Sequence, residues 1–176
     1  LVLGPDGLSG LPGPRQVSAS YTDGAGALLY PPHAVLERAG LRLGVIGLSA
    51  PVKDPDLRSK VHTLDPVLAA KAALQTLATD VDLVIALGNV VDEDAARVAR
   101  EVPGLAAVLT TRGGAYDSPI QAKPSDAAIA AVIEAPDRGR YLQVLSFRVG
   151  APAGHPALLT PEARLWRERQ LSGTEG

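Results

Sequence analysis

Along the chain the spacing of apolar residues switches between two periods, and each switch marks an element. VSASY (17–21) sets small and β-branched residues at strand spacing, and TDGAG (22–26) then supplies turn residues. PHAVLERAG and LRLGVIGLSA predict two strands joined around Gly40, the second apolar enough to be buried on both faces. In LDPVLAAKAALQTLATD, Asp65 is placed to cap a helix that begins at Pro66, and Val67, Ala70, Leu74 and Leu77 share one face. DLVIAL (82–87) predicts a short buried strand. VDEDAARVAREV predicts a second helix, with Val91, Ala95, Val98 and Val102 on one face. Its acidic start and Arg-containing end suit the helix dipole. LAAVLT (105–110) is the next buried strand. Strands and helices alternating in this way predict crossovers in a parallel sheet.

The texture differs at both ends. GPDGLSGLPGPR (4–15) follows the short apolar start LVLG and reads as a turn-rich loop. Beyond LAAVLT, the segments PIQAK, AAIAAVIEA and RYLQVLSFRV read as strands, and APDRGR predicts a hairpin between the last two. TPEARLWRERQL predicts a short amphipathic helix, and LSGTEG a frayed end. No internal repeat is visible. The expected fold is α/β, with mixed sheets and flanking helices, organised as a domain over 1–150 and a C-terminal extension over 151–176.

Composition narrows the function classes. With 176 residues, 46% of them hydrophobic, the chain is long enough to bury a core. Seventeen Lys and Arg against nineteen Asp and Glu give a net charge of −2 with no block of either sign, so no nucleic-acid partner is expected. The absence of Cys excludes disulfides, thiolate metal sites and cysteine nucleophiles. The apolar run LRLGVIGLSAPV is too short and too interrupted to span a membrane, and no signal peptide is visible. A start at Leu1 without any Met predicts a processed chain or an excised piece of a longer one.

Few residues are spaced for chemistry. His33, His62 and His155 lack metal-ligand spacing. Asp54 and Asp56 read as a solvated turn rather than a carboxylate pair. The serines lack a nucleophile-elbow context, and GPDGLSG lacks the Lys of a phosphate-binding loop. What remains is placement. DLVIAL and LAAVLT, as parallel neighbours, bring Gly88-Asn89 and Thr110 to Gly114 to one edge of the sheet, where α/β proteins bind ligands.

The order of these segments resembles the metallophosphatase domain of the periplasmic and cell-surface 5′-nucleotidases. VSASYTDGAGALLYPPHAVLERAGLRLGVIGLSAP is similar to that family's "SAN" strand, Gly turn and "GvkvGviGl". DPVLAAKAALQTLATDVDLVIALGN is similar to its "dPvaaakaav…aDlvialsH", VPGLAAVLTTRGG to its "vpGiDlvlgGHsH", and APDRGRYLQVLSFRV to its closing "gkylgrldl" strand. The resemblance covers roughly residues 1 to 149. It implies a relationship to the second half of an α/β/β/α sandwich whose two metal ions activate water and stabilise phosphoryl charge.

Residue by residue, the resemblance implies loss of those metals. The family's first two ligand elements, Asp-x-His and Gly-Asp, would lie upstream of Leu1. Pro5 and Asp6 stand for the Asn and His of Gly-Asn-His-Glu, Asn89 for a histidine, and Arg112 and Gly114 for both histidines of Gly-His-x-His. A guanidinium cannot coordinate a cation but can hold a carboxylate or an oxyanion. The implied site is vestigial: Asp6, Asn89, Arg112 and Gly114, with no catalytic residue, no metal and no cofactor. The implied role is a catalytically degenerate structural or interaction module of a larger periplasmic or extracellular protein, attached to other domains such as a multihaem cytochrome or to a partner chain. Two alternatives stay open. One is an active metal-dependent phosphoesterase completed by an upstream segment or a partner chain, and the other is an anion-binding module using Arg112.

Overall fold

The computed structural model describes residues 16–38, 40–77, 79, 81–111, 130–134, 146–148 and 157–159. Nine strands and three helices occur among them, in the order β1 (Tyr21–Thr22), β2 (His33–Arg38), β3 (Leu41–Leu48), α1 (Pro55–Arg58), β4 (His62–Thr63), α2 (Pro66–Thr76), β5 (Leu83–Gly88), α3 (Asp92–Glu101), β6 (Ala107–Thr110), β7 (Ala131–Glu134), β8 (Ser146–Arg148) and β9 (Ala157–Leu159). A five-stranded sheet, ordered β2-β3-β5-β6-β7, dominates. β3, β5, β6 and β7 run parallel, and β2 adds antiparallel to β3 through a turn whose Gly40 has φ 77°. That left-handed conformation is why glycine stands at the joint. The expected α/β class and crossover pattern are present.

Each element follows from its residues. Asp65 caps α2, its carboxylate accepting from the Val67 and Leu68 amides, and Pro66 opens the helix where a backbone donor would have no intrahelical partner. Val67, Ala69, Ala70 and Ala73 turn inward, and Leu77 lies directly over Gly44 of β3. Small residues on both sides let the helix approach the sheet closely. α3 buries Ala95, Val98 and Ala99, with Val102 just beyond its end. Val91 departs from the expected stripe: it stands before the first turn, 40% exposed, because the chain there is extended rather than helical.

Register explains the core. Ile46, Ala86, Val108 and Val132 lie side by side across β3, β5, β6 and β7 and pack with the buried faces of α2 and α3. Val45, Ile85, Ala107 and Ala131 form the row that points to the other face, where Ala107, Ala131 and Ile133 form a second apolar cluster with Ile85 and Leu109. In the three strands expected to be buried, Val45, Ile46, Val84 and Val108 are buried, whereas Leu83, Ile85 and Leu109 are half-buried. All three half-buried side chains belong to the face away from the two helices.

AAIAAVIEA contains a strand, β7, which pairs parallel with β6. The hairpin turn expected over APDRGR lies outside the described residues. Within RYLQVLSFRV, Ser146–Arg148 form a strand that pairs antiparallel with β9. The loop read as a polar turn around Asp54 holds α1, capped by the Asp54 side chain on the Asp56 amide. The C-terminal helix expected over 160–171 lies outside the described residues. No helix among the described residues is long and apolar enough to cross a membrane.

Candidate functional site

The carboxyl ends of the parallel strands define the candidate edge. Leu48, Gly88, Thr110 and Glu134 are in lateral register there, one from each of β3, β5, β6 and β7. Beyond them the ladder continues for one step: the Asn89 amide donates to the Leu48 carbonyl at 3.3 Å, and the Thr111 amide to the Gly88 carbonyl at 3.3 Å. Gly88-Asn89 and Thr110-Thr111 are therefore neighbours, as the strand order requires. Asn89 is exposed. Arg112, Gly114 and Asp6 lie outside the described residues.

Two contacts close this edge from within. At Gly88 an added methyl group would fall on the Leu48 backbone carbonyl, so β3 and β5 approach more closely there than any side chain permits. Thr110, 1% exposed, donates its hydroxyl to the Val90 carbonyl at 2.7 Å. That bond fastens the β5–α3 connection to the end of β6. The threonine hydroxyl thus gives the carbonyl of buried Val90 a hydrogen-bond partner.

A second fastening was not legible as a motif. Residues 17–22 cross the carboxyl end of β3, where the Ala19 amide donates to the Gly47 carbonyl at 2.8 Å. The Ser18 and Ser49 hydroxyls share a hydrogen bond of 2.9 Å, the Ser49 amide donates to the Ser20 hydroxyl at 3.1 Å, and Tyr21 donates to the Ala50 carbonyl at 2.8 Å. Ser18 and Ser20 are buried, so their hydroxyls act in this clasp. The alternation of VSASY gave the extended conformation but not the partner strand.

Among the described residues, Glu134 and Asp92 bring acidic groups to the edge. Glu134 ends β7 near Asp92, the first residue of α3, and its carboxyl is held above the usual glutamate range by burial and then by the Asp92 charge. Sequence reading missed it, although Glu134 is the single ionisable residue in AAIAAVIEA. Away from the edge, Arg97 of α3 pairs with Asp65 at 3.0 Å and with Asp94 at 3.1 Å. Burial raises the Asp65 pKa, but the Leu68 amide, Arg97 and the Val67 amide outweigh it and hold the carboxyl below the usual aspartate range. Asp65 therefore both caps α2 and ties it to α3.

The donors that the described residues bring to this edge do not make up a two-metal centre. Such a centre needs several imidazoles and a bridging carboxylate converging on one point. Among the described residues no three His, Asp or Glu side chains gather to hold an ion. Asn89 offers a neutral amide, and the Thr110 hydroxyl is committed to Val90.

By sequence, the chain matches no protein family and no curated protein. By structure it is similar to a calcineurin-like phosphoesterase from Bacillus subtilis, with a TM-score of 0.62 and 18% identity over 81% of this chain and 52% of that one. A 5′-nucleotidase precursor from Thermus thermophilus aligns with a TM-score of 0.59 and 25% identity over 85% of this chain and 34% of its own. The sulfate thiohydrolase SoxB, also from Thermus thermophilus, aligns with a TM-score of 0.64 and 16% identity over 84% and 28%. The chain thus spans between 28% and 52% of the length of these three proteins.

Proposed function

Starting from a chain with the fold of the 5′-nucleotidase-type, calcineurin-like metallophosphatases, we propose that it is a catalytically degenerate member of that fold, serving as a structural or interaction module of a larger extracytoplasmic protein. The carrying observation is the edge at Gly88–Val90. The apolar strands that frame a ligand site are kept, yet Asn89 presents an exposed amide where the resemblance puts a histidine, and Thr110 commits its hydroxyl to the backbone. Asp6, Asn89, Arg112 and Gly114 make up the vestigial site, with Arg112 holding a carboxylate of the same chain. Other domains of the parent protein, such as a multihaem cytochrome, or a partner chain are its contacts. The periplasm or the cell exterior is its compartment.

Elemental analysis and phosphatase assay test this directly. The purified chain is expected to carry no stoichiometric Mn, Zn, Fe or Ca and to leave nucleotides and aryl phosphates intact. Asn89→His, Arg112→His and Gly114→His together are not expected to restore either property. About one transition metal per chain would overturn the reading.

A second reading is favoured by length alone: because the chain spans between 28% and 52% of the similar proteins, the ligands of an active phosphoesterase could come from residues outside it. Metal uptake and hydrolysis by the longer polypeptide, but not by this chain, would establish it. The anion-binding reading makes a different demand. Inorganic phosphate would then stabilise the protein saturably, and Arg112→Ala would abolish that effect.

A further inference from the structure

We draw no further inference here: the strongest candidate, the Glu134 carboxyl beside Asp92 where β7 ends against the first turn of α3, is an acidic pair with no second observation in the structure that points to a ligand.

Discussion

Replacing Gly88 with alanine puts a methyl group onto the Leu48 backbone. Beyond the carbonyl oxygen itself, the new carbon would lie 2.7 Å from the carbonyl carbon and 2.9 Å from Cβ of Leu48. None of these atoms belongs to a flexible side-chain end, so relief requires β3 and β5 to separate at their carboxyl ends. Overpacking of this kind costs about 1–3 kcal/mol. Separation also breaks the bond from the Asn89 amide to the Leu48 carbonyl, worth about 0.5–1.5 kcal/mol. Alanine stiffens the unfolded chain and offsets about 0.4–1 kcal/mol of this. The net expectation is a loss of roughly 0.5–4 kcal/mol from these terms. Gly24 is the control, because nothing lies within 4 Å of its would-be Cβ. Gly24→Ala should leave stability unchanged or raise it slightly. Urea titration followed by far-UV circular dichroism measures both variants, with unchanged m values as the condition for comparing midpoints. If Gly88→Ala unfolds at the same urea concentration as Gly24→Ala, the close approach of β3 and β5 is wrong, and with it the closed edge.

Other outcomes follow from burial and charge. Ile46 is fully buried, so Ile46→Ala should cost about 2–5 kcal/mol, whereas half-buried Ile85 should cost less on the same substitution; the reverse order in denaturant titration would mean the two faces of the sheet are misassigned. Protonated Glu134 contributes stability that is complete below the ordinary glutamate pKa and lost as pH rises through its raised folded value. Glu134→Gln should therefore stabilise the protein at neutral pH, and a lower melting temperature than wild type at pH 7 would refute this. Asp65 runs the opposite way, its contribution present above the ordinary aspartate pKa and lost as pH falls through the lowered folded value. Asp65→Ala should cost about 1 kcal/mol at neutral pH for the lost cap and less in acid below the lowered folded value, where the charge-assisted part is gone, and an equal loss at both pH values would count against it.

Sequence patterns were most legible where the cause is local. Asp65-Pro66 announces the start of α2 because capping involves only the next three residues, and Gly40 announces its turn because the conformation there is left-handed. α1 starts with the same local signal, Asp54-Pro55, but was missed because it buries no side chain and so carries no apolar stripe behind the cap. β7 was legible as a strand, but its pairing with β6 was not. Adjacency in sequence favoured a hairpin with the strand that follows, but an apolar strand such as AVIE fits a parallel sheet edge as well as a hairpin, and pattern alone cannot choose. The same limit hid the serine clasp, whose bonds join positions about thirty residues apart. At the candidate site, the register of Asn89 with the end of β6 could be anticipated from strand order. Glu134 could not, because its place beside Asp92 depends on β7 pairing with β6.

The clasp on residues 17–21 also governs how the chain is threaded. Val17 lies against Gly47 near the carboxyl end of β3, so whatever precedes Gln16 is tethered within a few residues of the edge that carries Asn89. A short tether gives a linked segment an effective concentration at that edge on the order of millimolar. A loop or helix attached there occupies the edge for half the time or more once its intrinsic dissociation constant is about a millimolar or lower. A free peptide of the same sequence would have to be supplied at about that concentration to do as much.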